Sequence, residues 1–265
     1  MRICPIASGS SGNCIYIGND NTHILVDAGL SGKKTAEGVN SLGLSMDDIS
    51  AILVTHEHRD HVGGLGVLAR KYHIPIFLTN GTHLDISRAK DLGKIDETLF
   101  NDIFPDEVFE ISDIKITPIA ISHDAAQPVG YRFECDNKKA AIVTDLGVYD
   151  DYILNHLQGL DVAMIEANHD INMLQVGPYP YPLKQRILSD NGHLSNEASG
   201  KLISAILHDG IKSIYLGHLS HENNLPELAY ETVRIEINTS DTPYTGSDFP
   251  LHVAKRSEVS FCTEF

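Results

Sequence analysis

The residues with the clearest potential for chemistry lie in the segment 55–61, which reads Thr-His-Glu-His-Arg-Asp-His. It contains three imidazoles and the carboxylate of Asp60, and both side-chain types are natural ligands of zinc and similar ions. In an extended segment, His56 and His58 point to the same side. A turn into a following helix directs Asp60 and His61 to a second point, so one short loop can serve two metal ions.

The elements around this segment must hold it rigidly. The apolar run 51–55 is typical of a strand buried on both faces, and Gly63 with Gly64 permits a tight turn into a helix. Further strands are predicted at 1–6, 13–18, 22–27, 74–79, 162–167 and 213–217, with several more in 108–122 and 129–144. Helices are predicted at 64–72, 149–158, 181–189, 195–208 and 226–236, and an extended segment at 250–263. Strand runs followed by helices in both halves predict an α/β (α+β) protein with two sheets packed face to face, helices outside, and a single domain spanning 1–265.

The charge balance limits the kinds of partner. The chain carries 20 Lys and Arg against 36 Asp and Glu, a net charge of −16. This balance argues against a protein that coats nucleic acid through a broad basic face. It does not exclude a nuclease, because two divalent ions would add about four positive charges at one point.

The compartment is predicted from the absence of targeting signals. No stretch approaches the ~18 apolar residues that span a bilayer, so no membrane partner is expected. The N-terminus lacks the basic and apolar regions of a secretory signal, and we expect a cytoplasmic protein. The four cysteines, Cys4, Cys14, Cys135 and Cys262, are scattered, and we expect buried reduced thiols.

The pattern His-x-His-x-Asp-His after a buried strand resembles the signature of the metallo-β-lactamase superfamily. The other motifs of that family follow in order. Asp27 matches the early carboxylate that supports the metal loop, His123 the downstream histidine, Asp145 the bridging carboxylate and His218 the last histidine. The resemblance covers about residues 1–222 and implies a four-layer αββα metallo-β-lactamase fold.

The resemblance also implies which residue holds which ion. His56, His58 and His123 hold one metal and Asp60, His61 and His218 hold the other, while Asp145 bridges them. Asp27 is interpreted as a residue that orients a ligand rather than as a ligand. Histidine and carboxylate donors suit Zn²⁺, and Mn²⁺ suits a nuclease, so two divalent ions of either kind are expected. A hydroxide bridging two such ions attacks the substrate while both ions polarise it.

A second group of residues favours phosphodiester chemistry. Glu166 follows a predicted strand, and His193 precedes a helix in Gly-His-Leu-Ser-Asn. The two resemble the paired glutamate and histidine of the tRNA-processing nuclease RNase Z. The resemblance implies that Glu166 orients His193, which protonates the leaving oxygen or holds the phosphate, and that Asp60 also orients the hydroxide. The plainer alternative is that Ser195 caps a helix and His193 is incidental.

The motif pattern is most similar to the YycJ/WalJ group of bacterial proteins. Its shared motifs are Gly-Ser-Ser-Gly-Asn at 9–13, Glu-Ala-Asn-His-Asp at 166–170, Gly-His-Leu-Ser-Asn at 192–196 and Gly-His-Leu-Ser-x-x-Asn-Asn at 217–224. That group is regarded as DNA exonucleases that act 5′→3′ on duplex ends and are linked to mismatch repair. The resemblance implies a metal-dependent phosphodiesterase whose partner is nucleic acid, with DNA favoured.

Three alternatives stay open at this point. A glyoxalase-type hydrolase of thioesters or lactones would share every metal ligand but would not need Glu166 and His193. An RNA-processing nuclease similar to RNase Z would need a long substrate-binding arm, which the chain lacks. A non-hydrolytic scaffold protein would not need an intact ligand set. Lys184 and Arg186 are candidates for a phosphate contact, whereas the pair 255–256 is interpreted as a solvated surface.

Overall fold

The computed structural model of the chain describes residues 1–265, and its strands form two seven-stranded sheets. The first sheet consists of β1 (Arg2–Ala7), β2 (Cys14–Gly18), β3 (His23–Val26), β4 (Ala51–Leu53), β5 (Ile76–Thr79), β6 (Phe100–Ile103) and β14 (Thr263–Glu264). The second consists of β7 (Phe109–Ile111), β8 (Ile114–Ala120), β9 (Val129–Cys135), β10 (Lys138–Val143), β11 (Val162–Glu166), β12 (Ser213–Gly217) and β13 (Leu251–Val253). The helices are α1 (Gly32–Ser41), α2 (Arg59–Val62), α3 (Leu65–Tyr72), α4 (Asn80–Arg88), α5 (Asp151–His156), α6 (Ile171–Val176), α7 (Tyr181–Ile187), α8 (Asn196–Ile206) and α9 (Pro226–Thr239).

Both sheets are mixed, and each has a parallel part that points at the same end of the molecule. The strand orders are β14-β1-β2-β3-β4-β5-β6 and β13-β12-β11-β10-β9-β8-β7. Strands β3 to β6 are parallel, and so are β10 to β13. Loops at the carboxyl ends of parallel strands carry chemistry on a rigid frame.

Three layers of apolar side chains hold the sheets and helices together. Within β4, Leu53 faces the cluster between the two sheets, where it joins Tyr131 and Met164 of the second sheet. Its neighbour Ile52 faces the opposite way, into a cluster with Leu68 of α3. A third cluster packs α5, α8 and α9 on the outer face of the second sheet. The layer order is therefore helix, sheet, sheet, helix, which confirms the predicted αββα class.

Most predicted elements are present, and the clearest of the missed ones, α1, is polar. The helix predicted at 64–72 is Leu65–Tyr72, and that predicted at 195–208 is Asn196–Ile206. Helices α1, α4 and α6 and strand β6 were not predicted. In α1 the sequence is Gly-Lys-Lys-Thr-Ala-Glu-Gly-Val-Asn-Ser, and its Val39 alone of the apolar side chains is fully buried. So polar a helix shows little hydrophobic periodicity.

The cysteine prediction is partly wrong. Cys14 and Cys135 are free and buried, as expected, but Cys4 and Cys262 form a disulfide. The bond joins β1 to the residue just before β14, and these two strands pair at the edge of the first sheet. The two cysteines are 258 residues apart in the sequence. Proximity across such a separation cannot be read from cysteine spacing. None of the helices combines the length and the apolar character needed to cross a membrane.

Candidate metal centre

The seven predicted metal ligands lie together in loops that follow strands of both sheets. Asp27 follows β3, the segment 55–61 follows β4, Asp145 follows β10 and His218 follows β12. Asp27, Asp145 and His218 have φ angles of 64°, 57° and 56°. Non-glycine residues rarely adopt this left-handed conformation, and it is concentrated at functional sites. The strand ends therefore turn sharply to direct these three side chains.

The first predicted ligand group is compact. His56, His58 and His123 place one nitrogen each within 4.8 Å of one another. Nδ1 of His58 lies 3.3 Å from Nε2 of His123. Nε2 of His56 is buried and has no hydrogen-bond partner.

The second group lies beside the first. Asp60, His61 and His218 also place their donor atoms within 4.8 Å of one another, and Nε2 of His218 is 3.3 Å from Oδ2 of Asp60. Asp145 lies between the groups, with Oδ2 3.3 Å from Nε2 of His61 and Oδ1 3.8 Å from Nε2 of His123.

The residues fit divalent metal ions. Oδ2 of Asp145, like Nε2 of His56, is buried and makes no hydrogen bond within the chain. Leaving one such polar atom buried and unpaired costs about 1–3 kcal/mol, which coordination of an ion would offset. An all-histidine and carboxylate donor set suits zinc and manganese alike.

Of the five histidines among the predicted ligands, four are held in place by a contact at the ring nitrogen that points away from the centre. Nδ1 of His61 donates to Asp27 Oδ2 at 2.7 Å, and Nδ1 of His218 donates to Glu166 Oε1 at 2.8 Å. Nδ1 of His123 donates to the Gly192 carbonyl at 3.1 Å. In the remaining case Nδ1 of His56 lies 3.0 Å from the hydroxyl of Thr55. Such contacts fix ring orientation and direct Nε2 towards the centre, where it can act as a ligand atom.

The electrostatics of the centre reflect the crowding of its titratable side chains. Burial by itself lowers the pKa of His218, but the surrounding carboxylates, Asp145 foremost, raise it to about 10. Burial also lowers the pKa of His61, yet Asp145 and Asp27 outweigh this and hold that pKa well above its ordinary value. For His56, burial and then the neighbouring His61 hold the pKa well below its ordinary value.

Glu166 and His193 lie beside the centre in direct contact. Oε1 of Glu166 accepts hydrogen bonds from Nδ1 of His193 at 2.9 Å and from Nδ1 of His218 at 2.8 Å. Oε2 accepts from the backbone N–H groups of Leu146 at 2.9 Å and Leu194 at 3.1 Å. Burial of Glu166 by itself raises the carboxyl pKa, but His193 and His218 hold it below the ordinary value.

His193 is thus oriented by Glu166, as the resemblance implied, and its Nε2 makes no hydrogen bond within the chain. The alternative interpretation, in which Ser195 caps a helix, is also correct as far as Ser195 is concerned. Ser195 caps α8 by accepting from the Ala198 N–H at 3.2 Å.

Several asparagines of the shared motifs were not predicted as site residues. Nδ2 of Asn13 lies 3.0 Å from Nε2 of His61, and Nδ2 of Asn168 donates to the His218 carbonyl at 2.9 Å. Asn196 and Asn224 exchange hydrogen bonds of 3.0 and 2.8 Å. Their place in the four motifs at 9–13, 166–170, 192–196 and 217–224 was the available signal.

Arg256 corrects a second expectation, since it is not a solvated surface residue. Its Nη2 donates to the Ser220 carbonyl at 3.0 Å, and its Nε is buried. A Cβ on Gly9 would lie 3.2 Å from Cγ of Arg256. The side chain thus supports two loops that border the centre.

The predicted ligands open into a cleft of about 210 Å³. Besides His58, Asp60, Asp145, His193 and His218, it is lined by Ser10, Asn168, Tyr179, Leu183, Arg186, Ile187 and Ser220. Arg186 is its only Lys or Arg, and Asp124 binds the guanidinium through two contacts, one of them Nη2 to Oδ1 at 2.9 Å. Lys184 does not line the cleft and instead donates to the Gln175 carbonyl at 2.7 Å.

A second groove, of about 410 Å³, continues from the cleft across Ser10 and Asp60. No apolar side chain lines it, and its other lining residues are Ser11, Gly29, Ser31, Arg59 and Gly63. A larger cavity of about 570 Å³ lies at the opposite end of the strands, beside Arg2 and His23. It contains none of the predicted ligands, so the chemistry belongs to the cleft.

Comparison with known proteins agrees with this geometry. The family model described as a β-lactamase superfamily domain matches residues 22–219. The chain belongs to the metallo-β-lactamase superfamily. Among solved structures of this superfamily, the metallo-β-lactamase-fold protein YhfI from Bacillus subtilis superposes with a TM-score of 0.72, at 16% identity, covering 98% of both chains. That likeness shows the shared fold.

Two relatives within the superfamily are much closer in sequence. The chain is 42% identical over 259 residues to the protein named exodeoxyribonuclease WalJ of Streptococcus pneumoniae, covering 98% of this chain and 96% of that protein. It is 42% identical over 233 residues to exodeoxyribonuclease YycJ of Bacillus anthracis, covering 88% of each. This confirms the resemblance to the YycJ/WalJ group.

Proposed function

We propose that this protein is a metal-dependent phosphodiesterase, a 5′→3′ exonuclease that degrades DNA during repair. The observation that carries the proposal is the 42% identity over almost the whole chain to an exodeoxyribonuclease. The contact of His193 with Glu166 at 2.9 Å beside the cleft supports it.

The proposed ligands of two divalent ions, zinc or manganese, are the seven residues of the sequence prediction. His56, His58 and His123 would hold one ion, Asp60, His61 and His218 would hold the other, and the carboxylate of Asp145, which lies between the two groups, would be shared by them. Ions bound there supply positive charge that polarises the phosphate and lowers the pKa of water.

The remaining residues act on the substrate directly. Asp60 contacts His218 through Oδ2, and its Oδ1, which makes no hydrogen bond within the chain, orients the attacking water. Arg186 faces a phosphate oxygen of the substrate, and the hydrogen bonds to Asp124 hold its guanidinium group in position. His193, fixed at Nδ1, donates a proton from Nε2 to the departing oxygen.

The shape of the surface favours a polymer over a small thioester or lactone. The cleft and the groove meet at Ser10 and Asp60, so a strand can lie on both sides of the metals. The groove offers hydroxyl groups and one guanidinium, which suit a phosphodiester backbone. Glyoxalase-type substrates are small molecules, and an enclosed apolar pocket would suit them better than an open polar groove.

The domain and the compartment complete the proposal. Residues 1–265 act as one domain, since the core between the sheets joins both halves, for example Leu53 with Met164. We place the protein in the cytoplasm, where its substrate is. The disulfide of Cys4 and Cys262 stands against that location, because disulfides are rare in the cytosol. Thiol labelling of protein purified under reducing conditions measures how far this bond forms.

The test is digestion of end-labelled DNA and RNA, single- and double-stranded, with added Mn²⁺ or Zn²⁺. We expect metal-dependent shortening of DNA from the 5′ end. An Asp60→Ala variant should be inactive, whereas Asp102→Asn, which disturbs a histidine–carboxylate pair with His83 outside the cleft, should be active. Preference for RNA, or hydrolysis of thioesters and lactones without DNA cleavage, would overturn the proposal.

A further inference from the structure

An unusual segment borders one side of the cleft. Residues 176–183 read Val-Gly-Pro-Tyr-Pro-Tyr-Pro-Leu and run from the last residue of α6 into the first turn of α7. Val176 is 86% exposed and Tyr181 is 72% exposed, so the segment presents apolar surface to solvent. Three prolines within five residues fix the backbone φ near −65° at each and stiffen the segment.

The segment is also fixed to its surroundings at both ends. A Cβ on Gly177 would lie 2.7 Å from Oδ1 of Asn223, so the backbone packs directly against the loop that follows His218. Gly177 N–H also donates to the Met173 carbonyl at 2.8 Å. Lys184, just after the segment, donates to Gln175, just before it, at 2.7 Å. The position of the tyrosine between them is therefore set before any substrate arrives.

Tyr179 is the one residue of the segment that is both aromatic and part of the cleft. It is the only Phe, Tyr or Trp among the cleft residues. Its hydroxyl makes no hydrogen bond within the chain, and its ring packs on no other aromatic ring. The fold thus makes little use of this side chain, which is half-buried beside Leu183 and Arg186.

We propose that Tyr179 stacks on the nucleobase of the terminal nucleotide while Arg186 contacts its phosphate, with Leu183 extending the apolar wall. The inference rests on the proposed nuclease function and specifies how the substrate is held. A nucleotide joins a flat apolar ring to an anionic phosphate, and the cleft offers a flat ring, a cation and the metal ligands within about 210 Å³. Stacking tolerates any sequence because every base has a π-face.

The charge of the chain favours such a contact. With a net charge of −16 and one cation in the cleft, the protein cannot hold DNA through many phosphate contacts. Stacking also requires a base that has left the duplex, and unpairing costs least at a single-stranded end. The proposal therefore predicts a preference for a terminal nucleotide that is unpaired over one in a blunt duplex.

The test is a double-mutant cycle between Tyr179 and the terminal base. The substrates are two single-stranded oligonucleotides, one natural and one with an abasic tetrahydrofuran residue at the end where digestion begins. For wild type, loss of the base should reduce kcat/KM about tenfold, within the range of one base–aromatic stack. Tyr179→Ala should cause a similar loss on the natural strand and no further loss on the abasic one, while Tyr179→Phe should retain wild-type values. If Tyr179→Ala lowered kcat/KM by the same factor on the natural and the abasic strand, the two losses would be independent and the proposal would be overturned.

A binding measurement separates this inference from the proposed activity. A 2-aminopurine base at the strand end loses fluorescence when it stacks on an aromatic ring, whether or not the strand is cut. Wild type and Tyr181→Ala, the matched control outside the cleft, should quench it, and Tyr179→Ala should not. Equal quenching by Tyr179→Ala would overturn the stacking proposal. Quenching by a wild-type protein that cuts no DNA would overturn the nuclease function alone.

Discussion

Oε1 of Glu166 accepts a hydrogen bond from Nδ1 of His218 at 2.8 Å, and the same oxygen accepts from His193 at 2.9 Å. One carboxylate oxygen thus fixes both a proposed metal ligand and the proposed proton donor. The sequence motifs suggested only the second contact. The double role means that metal binding and proton donation cannot be altered independently at Glu166.

Glu166→Gln should therefore lower metal content as well as nuclease activity. The carboxylate accepts four hydrogen bonds, two at each oxygen. In glutamine one of these oxygens is replaced by an NH₂ group, which cannot accept hydrogen bonds, so two of the four are lost. We expect a larger loss than for His193→Ala. Metal analysis by mass spectrometry beside digestion of labelled DNA checks this. Asp102→Asn is the control, and full metal content in Glu166→Gln would refute the double role.

His193→Ala should keep both metals and lose nuclease activity by about 10²–10⁴-fold, the usual range for general acid catalysis. Its Nε2 is free, and no metal ligand depends on it for a hydrogen bond. An activated phosphodiester with a good leaving group needs no proton, so its hydrolysis should be largely spared. Equal losses on both substrates would assign His193 to phosphate binding. His83→Ala, from a histidine paired with Asp102 at 2.9 Å, is the matched control.

Whether a site residue could be predicted from the sequence depended on whether its contacts are local in the chain. Residues 55–61 were identified because their types and spacing are local, and Glu166 and His193 because their motifs are short. Asn13 was missed, since its contact with His61 at 3.0 Å joins segments 48 residues apart. Arg256 was assigned to the surface because a pair of basic residues such as 255–256 usually lies on a solvated face. Its support of Ser220 depends on how the C-terminal segment crosses the site.

Metal binding to the metal-free protein should release protons at neutral pH. The carboxylates around His218 raise its pKa to about 10, and the pKa of His61 is also above its ordinary value. A histidine ligand must be neutral, so each bound ion displaces protons that these rings carry. Release should decline as the pH rises through about 10, the pKa at which His218 loses its proton without metal. Calorimetry in buffers of different ionisation enthalpy measures it, and no release at pH 7 would contradict the expectation.

The affinity for single-stranded DNA should depend only weakly on salt. Arg186 is the only cation in the cleft and Arg59 the only one in the groove. With about two or three neutralised phosphates, the slope of log affinity against log salt should be about −2. Fluorescence anisotropy between low and physiological salt measures it. A slope several times steeper would show a basic surface that this account omits.

We expect DNA cleavage to require two divalent ions held by the seven proposed ligands. The most direct test is titration of chelator-treated protein with Mn²⁺ or Zn²⁺ while bound metal and digestion of end-labelled DNA are measured together. We predict saturation at two ions per chain, activity that rises with the second equivalent, and loss of both in Asp145→Ala, whose carboxylate lies between the two groups. Full activity at one ion per chain, with metal content and digestion unchanged in Asp145→Ala, would contradict the account.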